Sequence, residues 1–81
     1  MRSFLILQRA KNIKRHDDGT PWSWQSLDEI AQFKSIDSFI KYVENHIKEL
    51  GADVVCVSGS GSLITSTNQF LAEQQRKAGV L

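Results

Sequence analysis

The chain has little of several things that would define its class: among 81 residues there are one cysteine, one proline and one methionine. A single cysteine, Cys56, cannot form an internal disulfide, so a disulfide scaffold is excluded and a reducing, cytoplasmic setting is expected. No apolar run exceeds four residues, as in Phe4–Leu7, whereas a membrane span needs about twenty. An apolar core of about 7–15 residues is also missing near Met1. We therefore expect neither a secretory signal peptide nor a membrane protein.

Composition is otherwise that of an ordinary globular domain, with 41% hydrophobic and 23% charged residues. Wholesale disorder and a collagen-like repeat are therefore excluded. A chain of 81 residues is long enough for one domain and too short for two. Since no low-complexity tract or interior linker is visible, we expect residues 1–81 to fold as a single small domain.

The net charge of +1 conceals a gradient of charge along the chain. Residues 1–16 carry five basic residues and no acidic one, whereas residues 17–53 carry eight acidic residues against three lysines. A nucleic-acid-binding domain usually has a high isoelectric point, and here it is about 7.9. We therefore expect two electrically different faces, an acidic one suited to a basic partner and a basic one suited to phosphate.

The first half of the chain predicts a strand, an arm and a short helix. Residues 3–8 contain the continuous apolar run Phe4–Leu7, which predicts a central strand. The turn signal Asp17-Asp18-Gly19-Thr20-Pro21 lies within residues 9–25, which are predicted as a basic, Trp-containing loop or arm, with an irregular hairpin as the alternative. Ser26 and Glu29 match a capping box, so residues 27–33 are predicted as a helix, with a strand as the alternative.

The clearest periodicity runs from residue 36 to residue 50, where apolar residues recur at helical spacing. The stripe consists of Ile36, Phe39, Ile40, Val43, Ile47 and Leu50. Ser35 is a suitable N-cap and Gly51 a suitable terminator, so one long amphipathic helix is predicted over this range.

The rest of the chain is predicted as a β-hairpin followed by a helix. Residues 53–58 are rich in β-branched side chains, Gly59-Ser60-Gly61 favours a turn, and residues 62–67 are predicted as the returning strand. Thr67 or Asn68 then caps a last helix. The prediction is an α+β domain of order β-α-α-β-β-α, in which a sheet of about three strands packs one face against the long helix.

The sequence shows no catalytic set, metal site or cofactor motif. Cys56 lies within an apolar strand and His46 lies beside the helical stripe, with no third group to complete a nucleophilic site. The side chains of His16-Asp17-Asp18 are adjacent, and adjacent residues rarely point at one ion. Residues 58–62 are Gly-rich but lack the lysine of a phosphate loop. We therefore expect a non-enzymatic protein without cofactor or metal.

Trp22 and Trp24 are the most informative residues of the chain. In an extended segment, residues two apart project to the same side. Two interpretations stay open: the rings clamp a small core, or they are exposed anchors for a protein partner, since tryptophan dominates interface hot spots. The second interpretation predicts a protein-binding site made of Trp22, Trp24, Arg15 and Lys14.

These observations predict a small inhibitor or adaptor that acts by protein–protein contact on a larger protein or ribonucleoprotein assembly. Small chains of this kind include phage and mobile-element proteins that block a host defence assembly. The alternative is a nucleic-acid-binding module, in which a tryptophan stacks on bases. Its phosphate contacts would come from residues 9–16, namely Arg9, Lys11, Lys14 and Arg15. A homodimer through a sheet edge or the last helix is a further option.

Overall fold

The computed structural model describes residues 5–58 and 60–81. Its elements are β1 (Leu5–Arg15), β2 (Pro21–Phe33), α1 (Ile36–Leu50), β3 (Val54–Ser58) and α2 (Gly61–Lys77). In this part of the chain the strands form an antiparallel sheet of order β2-β1-β3. The predicted α+β class and the sheet of three strands are confirmed. The predicted strand start at Ser3 and Phe4, and the Gly59 position of the predicted turn, lie outside the described residues.

The predicted order β-α-α-β-β-α is wrong, since the observed order is β-β-α-β-α. One reason is that residues 27–33 form a strand rather than a short helix. They continue β2 and pair with β1, with Ala31 opposite Leu7. Register shifts make Leu27 and Ile30 extra residues in β2. Each such bulge offsets the two-residue alternation of a strand, so the apolar residues acquire a spacing that resembles a helix.

The predicted returning strand over residues 62–67 is also wrong, because these residues form the first turns of α2. Ser60, rather than Thr67 or Asn68, is the N-cap, and its hydroxyl accepts a hydrogen bond from the Leu63 N–H. Three hydroxyls donate to carbonyls four residues earlier: Thr65 to Gly61, Ser66 to Ser62, and Thr67 to Leu63. These hydrogen bonds accommodate the three hydroxyls within a helix, although threonine is a residue type that favours strands. The described residues therefore contain two long helices, whereas the sequence predicted one long helix and a last helix that begins only at Thr67 or Asn68.

α1 has the bounds that its periodicity predicts. It is capped by Ser35 and ends at Gly51, whose φ of +71° is the left-handed backbone that glycine adopts most readily. The buried residues of the helix are Phe39, Val43 and Leu50. Ile36, the first member of the apolar stripe, is 46% exposed, so burial begins at the second member. Neither helix in the described residues is long and apolar enough to cross a membrane.

The core lies between the sheet and the two helices. It consists of Leu5, Leu7, Phe33, Phe39, Val43, Leu50, Val54, Cys56 and Leu71. Val55, between two of these core residues, is also fully buried. Because successive residues of a strand point to opposite faces, both faces of β3 must be covered.

Residues 9–25, predicted as a loop or arm, form the distal half of the β1–β2 hairpin. A turn over residues 16–20 joins the two strands. The hairpin folds toward α2, where Gly19 lies against Ala72 and Leu81. α2 reaches the outer edge of β3, where the Asn68 side chain accepts a hydrogen bond from the Cys56 N–H.

Candidate functional site

Trp22 is an exposed aromatic residue on the hairpin, with 55% of its surface accessible. Lys14 pairs with Ser23 and Arg15 pairs with Pro21, so Trp22 is an extra residue of β2 in a bulge. A bulge bends the strand and re-aims the side chain of the extra residue. The local backbone therefore presents this ring outside the regular pattern of the sheet.

Two side chains of the neighbouring strand and turn contact the Trp22 ring. The Lys14 Nζ lies 5.7 Å from the ring centroid, within the range of a cation–π interaction. The centroid of the His16 ring lies 6.3 Å from that of Trp22, with the two planes tilted by 43°. An exposed indole thus carries a cation on one side and an imidazole beside it.

Trp24 is half-buried and lines a shallow groove of about 580 Å³ on the same hairpin. The other lining residues are Asn12, Ile13, Lys14, Ser23 and Gln25. Asn12 has a left-handed φ of +54°, which asparagine tolerates better than most residues, and its Nδ2 donates to the Gln25 Oε1 at 2.7 Å. The groove follows from this second bulge, where β1 has one residue more than β2 between Lys11 and Lys14.

Neither tryptophan belongs to the core cluster of the described residues. The structure brings Lys14, His16, Trp22 and Trp24 together on one hairpin, and we call these four residues the tryptophan surface. The sequence singled out both tryptophans and Lys14. It gave no role beyond a metal ligand to His16, and it missed Asn12, because the bulge that places Asn12 depends on pairing across the hairpin.

Arg15, a predicted site residue, donates hydrogen bonds within the fold. Its guanidinium donates to the carbonyl oxygens of Gly19, at 2.9 Å, and of Ala52. Burial lowers the pKa of Arg15 from its ordinary value of 12.5, and the nearby Asp53 carboxylate opposes that shift. Arg9 likewise donates to the Leu50 carbonyl at 3.3 Å.

These arginines belong to a set of donors that secures the loop between α1 and β3. The carbonyls of four successive residues, Leu50, Gly51, Ala52 and Asp53, accept from Arg9, Gln75, Arg15 and the Ala10 N–H, respectively. The end of a helix leaves carbonyls without partners and carries partial negative charge, which explains the arginines. Their positions in sequence gave no sign of this, since the donors come from β1 and α2.

Lys11 and Lys14 are the exposed cations of the predicted basic segment. They flank the bulge at Asn12 and Ile13, and Lys14 lines the groove. Of the four cations proposed to bind phosphate, these two are therefore the ones presented outward, while Arg9 and Arg15 are half-buried.

The turn that joins β1 to β2 is stabilised by hydrogen bonds among its own residues and by one hydrogen bond from α2. The Asp18 Oδ1 accepts from the Thr20 N–H at 3.0 Å and from the Thr20 hydroxyl at 2.6 Å, and these two bonds lower the pKa of Asp18. The Arg76 guanidinium donates to the Asp18 carbonyl. The turn also includes a hydrogen bond from the His16 N–H to the Thr20 carbonyl at 2.8 Å. It therefore fixes the place of His16 beside Trp22.

The remaining reactive side chains are engaged elsewhere. Cys56 is buried in β3, and desolvation raises the pKa of its thiol to about 12, so it carries almost no thiolate at neutral pH. The His46 Nδ1 lies 3.5 Å from Glu49, and its ring packs on Tyr42. Among the described residues no group of three or more histidines, cysteines or carboxylates is placed to hold a metal ion.

Comparison of the chain with protein-family models, with curated proteins and with solved structures gave no match. Function is therefore inferred from the arrangement of the chain's own residues. We infer it from the tryptophan surface, where the exposed Trp22 and the half-buried Trp24 lie near Lys14.

Proposed function

We propose that this domain is a non-enzymatic binding protein whose contact surface for a protein partner is the tryptophan surface. The observation that carries the proposal is the exposure of Trp22, at 55%, with Lys14 and His16 against its ring. A small domain has few apolar residues with which to form a core, so a large ring placed outside the core favours a binding role. Tryptophan is enriched among the residues that dominate interface energy.

Trp24 extends this surface into the groove. It is half-buried, so part of its indole already packs on the hairpin before a partner arrives. Holding a side chain in its bound position lowers the entropy lost on association. The groove beside it offers both polar and apolar side chains, as protein-binding sites do.

Arg15 has a positioning role in this proposal. Because its guanidinium donates to the Gly19 and Ala52 carbonyls, it holds the turn from which His16 projects. A partner that contacts Trp22 would therefore depend on Arg15 through the shape of the hairpin.

The biochemical class that we propose is an inhibitor or adaptor acting on a larger protein or ribonucleoprotein assembly in the cytoplasm. Phage and mobile-element proteins that block host defence are one example of that class. A single hairpin surface suits such a role because it can occlude a site on a partner without any chemistry of its own.

Nucleic-acid binding through residues 9–16 is the second candidate. It is favoured by Lys14, which lies over Trp22 and lines the groove with Trp24, an arrangement that could take a stacked base and its phosphate. It is weakened by Arg9 and Arg15, which donate to main-chain carbonyls and leave two outward cations. Affinity for nucleic acid rises with the number of phosphates neutralised, so two lysines predict weak binding.

The test is a pull-down from host lysate with the tagged parent, Trp22→Ala and Leu27→Ala, each with and without nuclease. Leu27 is the matched control, because it is also an exposed bulge residue of β2, at 52%. We expect a protein retained by the parent and by Leu27→Ala, lost with Trp22→Ala, and unaffected by nuclease. Equal retention by all three proteins would contradict the proposal, and retention that disappears with nuclease would favour the second candidate.

A further inference from the structure

The charges around the tryptophan surface are unbalanced toward positive. Lys11 and Lys14 are both exposed on β1 beside the groove. The six residues that line the groove include Lys14 and no carboxylate. The Lys14 ammonium lies over the indole of Trp22. The apolar ring of Trp22 and the ammonium of Lys14 are thus close enough for neighbouring side chains of one partner to contact both.

The nearest acidic residues in the chain neutralise this charge only in part. Residues 9–25 carry four cations against the carboxylates of Asp17 and Asp18 in the turn, so this half of the hairpin keeps a net charge of +2. Asp28 and Glu29 lie further along β2, opposite Arg9 and Gln8. The positive potential of the distal hairpin is therefore left for a partner to balance.

We propose that the tryptophan surface binds an acidic segment of its protein partner, in which a carboxylate meets Lys14 and a neighbouring apolar side chain packs on Trp22. This inference rests on the proposed function, since it names the chemistry of the partner. Complementary charge sets the orientation and the rate of association, and the buried ring contributes most of the affinity. A peptide carboxylate needs one cation at one place, which Lys14 supplies.

A protein carboxylate fits the surface better than a phosphate backbone does. A nucleic acid presents a repeating row of phosphates and is bound by a matching row of cations. Here the row is interrupted, because Arg9 and Arg15 are half-buried and donate to the carbonyls of Leu50 and Ala52. Asp17 and Asp18, exposed in the adjoining turn, confine the favourable positions for an anion to the neighbourhood of Lys11 and Lys14, where a single carboxylate fits and a row of phosphates does not.

The experiment is selection of a random-peptide display library on four immobilised proteins: the parent, Trp22→Ala, Lys14→Glu and Lys41→Glu. Lys41 is the matched control, because it is an exposed lysine on α1 that takes no part in the tryptophan surface. On the parent we expect enrichment of peptides that join Asp or Glu to Leu, Phe or Trp. On Lys14→Glu we expect that acidic bias to disappear, whereas Lys41→Glu should retain it.

Each selected peptide is then synthesised and its affinity measured, with a single-stranded thymidine oligonucleotide as a second probe. We expect Lys14→Glu to weaken the acidic peptides by about tenfold or more. Peptides that depend on Trp22 but show no acidic bias would overturn this inference and leave the proposed function standing. Failure to select any Trp22-dependent peptide would contradict both. Binding of the oligonucleotide with higher affinity than the peptides would overturn the acidic partner in favour of nucleic acid.

Discussion

The side-chain amide of Asn68 makes two hydrogen bonds to the main chain of Cys56, on the edge of β3 that no strand covers. The Cys56 N–H donates to the Asn68 Oδ1 at 2.9 Å, and the Asn68 Nδ2 donates to the Cys56 carbonyl at 2.8 Å. In the described sheet, β3 pairs only with β1, so this edge would otherwise present free donors and acceptors. α2 thus provides in one side chain what a neighbouring strand would provide.

We expect Asn68→Ala to lower the free energy of unfolding, because it leaves the N–H and the carbonyl of Cys56 buried without partners. Each unsatisfied buried group costs about 1–3 kcal/mol. Urea denaturation followed by circular dichroism measures the change, and Asn45→Ala, on the exposed side of α1, is the control. Equal stability of the two variants would show that water or a structural shift replaces the amide.

The thiol of Cys56 should be inert in the native protein. Burial raises its pKa from the ordinary value of 9.0 to about 12, so the folded state holds the proton over a pH range in which the unfolded state releases it. Stability from this group is therefore fully present below pH 9.0 and is lost as the pH rises toward about 12.

The measurement is reaction with a thiol reagent at pH 8, in buffer and in denaturant. We expect rapid reaction only after unfolding, because the thiolate is the reactive form. In addition, the unfolding free energy of the parent should fall above pH 9.0 more steeply than that of Cys56→Ala. Fast labelling of the folded protein would contradict the buried position of the thiol.

Arg15 and Lys11 are both basic residues of β1, and their substitution should have different effects on stability. Arg15→Ala removes the donor to the Gly19 and Ala52 carbonyls, and we expect a loss of about 1–3 kcal/mol. Lys11 is exposed, so Lys11→Ala should change stability by less than about 0.5 kcal/mol. Thermal melts of the two variants at one salt concentration distinguish them. Equal melting temperatures would contradict a stabilising role for the two hydrogen bonds of Arg15.

The sequence predicted α1 fully because its signals are local. The apolar stripe, the Ser35 cap and the Gly51 terminator all lie within the helix or next to it. β2 was not predicted as a strand throughout, since three of its apolar residues, Trp22, Leu27 and Ile30, are extra residues at bulges. A bulge exists only relative to a paired strand, so periodicity along one strand cannot show it.

The sequence predicted the two tryptophans of the candidate site, but it could not predict which cations of the basic segment are exposed beside them. Trp22 and Trp24 stand out in any sequence of this size, and the structure leaves Trp22 exposed and Trp24 half-buried. Arg15 resembled Lys14 in sequence, but its partner carbonyl at Ala52 lies 37 residues away. Long-range partners of this kind decide which cations of a basic segment remain available to a ligand.

Gly19, the one glycine of the β1–β2 hairpin, should be sensitive to substitution. Its φ is +93°, and a Cβ placed there would lie 3.1 Å from the Leu81 Cδ1 and 3.2 Å from an Arg76 guanidinium nitrogen. We expect Gly19→Ala to lower the free energy of unfolding by about 1–3 kcal/mol, because it adds backbone strain to a close contact with α2. It should also weaken partner binding at Trp22, since the same turn holds His16 against that ring.

Gly61→Ala is the matched control for Gly19→Ala. Gly61 lies in the first turn of α2, and nothing lies within 4 Å of a Cβ placed there. Alanine has a higher helix propensity than glycine by about 1 kcal/mol, so this variant should be as stable as the parent or more stable. Chemical denaturation of both variants tests the pair. If Gly19→Ala were as stable as Gly61→Ala, the hairpin turn would not be packed against α2, and the placement of His16 beside Trp22 would lose its support.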